Sequence, residues 1–180
     1  MPRLIAFLRA INVGGHIVKM TQLRLEFEAL GLTDVETFIA SGNVIFTSRS
    51  ADTAALTKTI EARLRASLGY DVATFLRTGA DVAGVAAYTA FPASRVQAAR
   101  AYCVGFLDAP LDAAGTRGLM AFKTGIDDFH TSGREVYWLC KTGQSDSTFT
   151  NANMERKLKI RATFRGINTV VRLAAKHGPS

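Results

Sequence analysis

From its start to about Arg77 the chain changes hydrophobic period in a fixed order, and that order restricts the fold more than any single motif does. Residues 3–8 read as a strand rich in Leu, Ile and Phe. Residues 20–30 read as a helix, because Met20, Leu23, Phe27 and Leu30 recur at three- and four-residue spacing and Gly31 supplies a stop. Two β-rich runs, 35–40 and 44–48, are separated by Ser41-Gly42-Asn43, where Gly and Asn tolerate the positive φ of a tight turn. Asp52 caps a helix to about Leu68 with Leu56, Ile60 and Leu64 on one stripe, and Gly69 ends it. Residues 72–76 form the next strand. The order β-α-β-β-α-β is that of a ferredoxin-like unit, a four-stranded antiparallel sheet with both helices on one face.

The second half is read less regularly. Thr78 can cap a short helix through Tyr88, and Phe91-Pro92-Ala93-Ser94 is a break. That break suggests a ferredoxin-like subdomain over 1–90 and a second α+β subdomain over 91–180. Residues 101–107 read as a strand, and Asp108-Ala109-Pro110 as a helix start with Pro in the first turn. Residues 128–131 and 135–140 pair across Ser132-Gly133-Arg134. Helices are expected over 151–159 and 165–176. The expected class is therefore α+β, with a C-terminal half that copies the first unit but ends in a helix where its last strand should be.

A chain of 180 residues, 48% of them apolar, can build one good-sized domain or two small ones. No apolar run approaches the roughly 20 residues needed to cross a bilayer, so no membrane partner is expected. Met1-Pro2-Arg3 leads straight into a strand-like run, which argues against a signal peptide. Cys103 and Cys140 belong to no CxxC pair and fit a reducing cytoplasm as small hydrophobes. Adding His16, His130 and His177 gives too few clustered soft ligands for zinc, and no motif names a cofactor. Asp127 and Asp128 are adjacent, so on a strand they point to opposite faces and cannot act together.

Net charge is +7, and much of it sits near the end. Arg156, Lys157, Lys159, Arg161, Arg165, Arg172 and Lys176 stand against the single acid Glu155. Such a cluster either attracts phosphate or forms a solvated helix face. Phe164 is the only aromatic residue there, so no base-stacking surface is visible in that stretch.

The candidate site follows from topology. In a ferredoxin-like sheet the first strand neighbours the third, so the end of strand one, the end of strand two and the start of strand three share an edge. Arg9, Asn12, Gly14 and Gly15 leave strand one there, and Ser41, Gly42 and Asn43 turn there. Lys19 follows at the start of a helix, where free N–H groups favour an anion. The alternative is that the glycines serve turns while Asn12 and Asn43 bond the local backbone. His16 is the proton-transfer candidate of this loop, with no carboxylate placed by sequence to orient it.

Leu8-Arg9-Ala10-Ile11-Asn12-Val13-Gly14-Gly15, then Met20 with Leu23, then Ser41-Gly42-Asn43-Val44, resemble the bacterial family called domain of unknown function 1697. Gly143 with Ser147, and Glu155-Arg156-Lys157-Leu158, resemble that family's later segments. Thr163-Phe164-Arg165-Gly166-Ile167-Asn168-Thr169-Val170 is similar to its Thr-x-Arg-Asn-Trp-Asn-Thr-Val segment, with Gly166 and Ile167 replacing Asn and Trp. The resemblance implies an α+β fold of ferredoxin-like halves and no established activity. It adds Thr163, Arg165, Asn168 and Thr169 to the candidate ligand-binding residues, and that segment is assigned to the same cleft.

Three functional readings follow. The first is binding of, or action on, a small anionic or phosphorylated ligand at the Arg9–Lys19 loop and the Ser41–Asn43 turn. The second is a nucleic-acid-binding module using the basic C-terminal segment. The third is a structural or oligomerisation role.

Overall fold

The computed structural model describes residues 1–12, 15–40 and 42–179. It divides into two compact units, Met1–Val82 with His177–Ser180, and Ala83–Lys176.

In the first unit the order is β1 (Arg3–Leu8), α1 (Met20–Glu28), β2 (Thr33–Thr37), β3 (Asn43–Thr47), α2 (Thr53–Leu68) and β4 (Thr74–Thr78). The strands make one antiparallel sheet in the order β2-β3-β1-β4. Leu4, Ala6 and Leu8 of β1 pack with Val44, Phe46 and Leu76 against Leu23 and Phe27 of α1 and Leu56, Ile60 and Leu64 of α2. The apolar stripes read from sequence thus form the core. Asp52 accepts the Ala55 N–H at 3.0 Å, and Gly69 ends α2 at φ +83°. A further helix, α3 (Gly79–Ala87), opens on a reciprocal cap: Thr78 Oγ1 accepts the Asp81 N–H at 3.0 Å, and Asp81 accepts the Thr78 N–H at 2.9 Å.

The second unit contains α4 (Ala93–Ala98), β5 (Ala101–Leu107), α5 (Ala113–Met120), β6 (Asp127–Ser132), β7 (Glu135–Cys140), α6 (Asn151–Leu158) and β8 (Ala162–Gly166). Its sheet runs β6-β7-β5-β8, again antiparallel throughout. The fold is α+β with two four-stranded antiparallel sheets. Helix α7 (Ile167–His177) follows β8 as α3 follows β4.

Two expectations for this half are corrected. The last strand of the second unit is present: residues 162–166 pair with β5, and the final helix starts at Ile167 rather than Arg165. Ala162 and Phe164 join the core cluster while Thr163 and Arg165, on the other face, are buried as well, so a charged residue at a buried position disguised a short strand. Helix α5 starts four residues after the expected Asp108-Ala109-Pro110, because Asp112 is its cap and accepts the Gly115 N–H at 2.6 Å. The segment at 91–94, read as a break, leads directly into α4.

The strand pairings within each unit allow the two units to be aligned residue by residue. Ile5 faces Arg77 and Ala6 faces Leu76 in the first; Val104 faces Arg165 and Gly105 faces Phe164 in the second. Ile5-Ala6-Phe7-Leu8 and Val104-Gly105-Phe106-Leu107 therefore occupy equivalent positions. So do two buried arginines, Arg77 and Arg165, and each donates from Nη1 to the carbonyl of the residue before it at 2.9 Å.

Candidate functional site

Three loops meet at the end of β1. The Leu8 N–H donates to Gly42 O at 2.8 Å, and the Arg9 N–H donates to Ala73 O at 2.9 Å. Asn12 Nδ2 donates to Ala40 O at 2.7 Å while its Oδ1 accepts the Val18 N–H at 2.8 Å. One side chain thus ties the loop after β1 both to the β2–β3 turn and to the approach to α1. Gly42 is required here on two counts. Its φ is +81°, and a Cβ would meet Ile11 Cγ2 at 2.6 Å. Buried Asn43 donates to Phe38 O at 2.9 Å, beside the backbone bond from Phe38 N–H to Asn43 O. The amide groups of Asn12 and Asn43 are therefore engaged in shaping the edge.

What the edge offers to solvent is cationic and aromatic. Lys19 precedes α1 as its cap residue and makes no side-chain capping bond, and the first turn of α1 carries no acidic residue. Arg9 is half-buried at the strand exit, and Gly15 is exposed at φ +86°. His16 is exposed and stacks on Tyr70, ring centroids 3.9 Å apart, and the Tyr70 hydroxyl approaches Ile11 O at 3.5 Å. Gly14 and Ser41 lie outside the described residues. Ala10 and Ile39 hold φ of +55° and +50°, a conformation costly for a side-chain-bearing residue and most of all for β-branched Ile.

Tyr70 was not singled out by the sequence reading. The signal was available: β1 pairs antiparallel with β4 as well as with β3, so the residues entering β4 must return to the end of β1.

The other candidates belong to the second unit. Arg165 Nη1 reaches Thr163 Oγ1 at 2.8 Å, and burial pushes the guanidinium down to about 10, so it stays charged at neutral pH. Thr169 is half-buried. Asn168 is exposed and lines an open cleft of about 750 Å³ with Arg100, Tyr102, Cys103 and Gln144. Burial pushes the Cys103 thiol up to about 11 despite its contact with the Gln144 amide at 2.7 Å, so it is not a ready nucleophile. Ser147 donates to Asp127 at 2.7 Å, and Trp138 Nε1 donates to the same buried carboxylate at 2.8 Å. Asp128, on the opposite face, pairs with Arg95 at 2.8 Å. The two adjacent acids thus act separately.

Several of the basic residues near the end have partners within the chain, while Lys159, Arg172 and Lys176 are exposed. Arg165 is buried, Arg161 forks onto Asp108 at 2.9 and 3.1 Å, and Arg156 bonds Asn153 at 3.0 Å. Lys157 sits over the Phe122 ring, 4.9 Å from its centroid.

A family model described as a protein of unknown function (DUF1697) matches residues 1–137. The chain belongs to that family. The match covers the whole candidate edge, whereas the resemblance drawn on 143–170 lies beyond it. A conserved bacterial protein, SP0830 from Streptococcus pneumoniae, has a similar solved structure, with a TM-score of 0.77 at 24% identity over 98% of both chains. At that identity the likeness speaks for the fold. No curated protein matches the chain. Among the described residues no helix is long and apolar enough to cross a membrane.

Proposed function

We propose that this DUF1697 protein binds a small anionic ligand, a phosphate or carboxylate compound, where β1 ends, with Arg9 and Lys19 as its charge partners. The observation that carries the reading is internal. Eleven residues (9–19) join β1 to α1, against five (108–112) between β5 and α5; five (38–42) join β2 to β3, against two (133–134) between β6 and β7. At these two connections the second unit shows how little chain is needed; at the β7–α6 connection the order is reversed, with ten residues (141–150) against five (48–52) between β3 and α2. The charge differs too: Asp108 and Asp112 occupy the loop where the first unit has Arg9 and Lys19. Long loops on a rigid scaffold, with strained residues at their bases, are the usual seat of binding.

A net charge of +7 favours the approach of such a ligand. The nucleic-acid reading finds less support, because Arg161 and Arg165 of the basic segment are paired or buried. The test is a thermal-shift series with pyrophosphate, ribose 5-phosphate and citrate. At least one should raise Tm in the native protein and fail to do so in the Arg9→Ala/Lys19→Ala variant. A shift that survives the double substitution overturns the placement.

A further inference from the structure

Resting on the anion reading above, we infer that the ligand is a nucleotide whose base stacks on the His16–Tyr70 ring pair while Arg9 and Lys19 hold its phosphate. The two rings lie within 26° of parallel, and Tyr70 is half-buried beneath an exposed His16. A stack of that kind gives a flat platform, and every base has a face that can lie on one. Gly15, the residue before His16, is exposed, and a Cβ there would meet nothing within 4 Å outside its chain neighbours. Ile17, the next residue of the loop after His16, is 88% exposed, an apolar side chain open to solvent. A bare sugar phosphate would use the cations and leave the platform uncovered.

The charge count favours a free mononucleotide over a strand of RNA. Arg9 and Lys19 suit one phosphate group, whereas single-strand binders line a groove with cations along the backbone. Stacking tolerates any base but grows with its area, so purine nucleotides bind tighter than pyrimidine ones.

Calorimetric titration of the native protein with AMP, ribose 5-phosphate and a 5′-phosphorylated single-stranded tetranucleotide separates the cases. AMP should bind about 10-fold tighter than ribose 5-phosphate, the scale set by one base–aromatic stack. In His16→Ala, and separately in Tyr70→Leu, AMP should fall to the affinity of ribose 5-phosphate, which itself stays unchanged. Equal affinities in the native protein overturn the inference and leave the anion reading standing. So does an AMP advantage that survives both substitutions. A tetranucleotide that binds tighter than AMP overturns it in favour of a nucleic-acid ligand. Failure of all three ligands removes the anion reading itself.

Discussion

In the first unit 11 residues lead from the opening strand to its helix and end on Lys19; in the second, 5 residues make the same journey and end on Asp112. Strand order, direction and the register of the β1–β4 and β5–β8 pairs are shared, while β2–β3 has a register shift between Thr33 and Glu36 where β6–β7 pairs continuously. The second unit caps its helix with an acid that satisfies the Gly115 N–H. The first leaves α1 without a side-chain cap and holds Ala10 and Ile39 at positive φ. At this edge the second unit shows what folding requires, and the excess in the first calls for a functional explanation; elsewhere the second unit has the longer β7–α6 connection and its own left-handed residue, Lys159 at φ +55°.

The comparison extends into the core, where it can be tested hardest. Ala6 faces Leu76 in the first unit, and at the equivalent place Gly105 faces Phe164 in the second. The volumes are traded: a Cβ on Gly105 would meet the Phe164 ring at 2.7 Å. Gly105→Ala should therefore destabilise the protein by about 1–3 kcal/mol in urea denaturation. Adding Phe164→Leu, which recreates the first unit's pair, should recover part of that loss through a coupling of ~0.5 kcal/mol or more. Strictly additive effects would mean that the two positions are not one packing solution.

A smaller effect tests the edge. Lys19 has the extended backbone of a cap residue, φ −67° and ψ 138°. Lys19→Asp installs the second unit's cap and should stabilise the protein by about 1 kcal/mol, a rise in Tm of roughly 2–4 °C. The same change should abolish anion binding. A stabilised variant that still binds would separate the missing cap from function.

The legible part of the fold was the part written in uninterrupted apolar periodicity. Leu23 and Phe27, or Leu56, Ile60 and Leu64, can face only one way, and all are buried. The strand at 162–166 escaped because Arg165 stands at a buried position, where a charged side chain is least expected. Its burial depends on partners in Thr163 and Phe164 that local pattern does not reveal. Helix α5 was placed too early because Pro110 and Asp108 imitate a helix start that Asp112 provides. At the candidate site, the meeting of the loop after β1 with the β2–β3 turn followed from strand order alone. That the amides of Asn12 and Asn43 bond the backbone carbonyls of Ala40 and Phe38 is a matter of bond geometry that residue type alone does not reveal. Tyr70 is legible only through the third loop of the edge, the one entering β4, which strand order returns to the end of β1.

The most direct test of the account is a backbone amide NMR titration of the native protein with pyrophosphate. The account predicts saturable shifts confined to residues 9–19, 38–42 and 70–73, with 108–112 and 133–134 of the second unit unmoved. Shifts at those second-unit loops, or none at the first-unit loops, would contradict it.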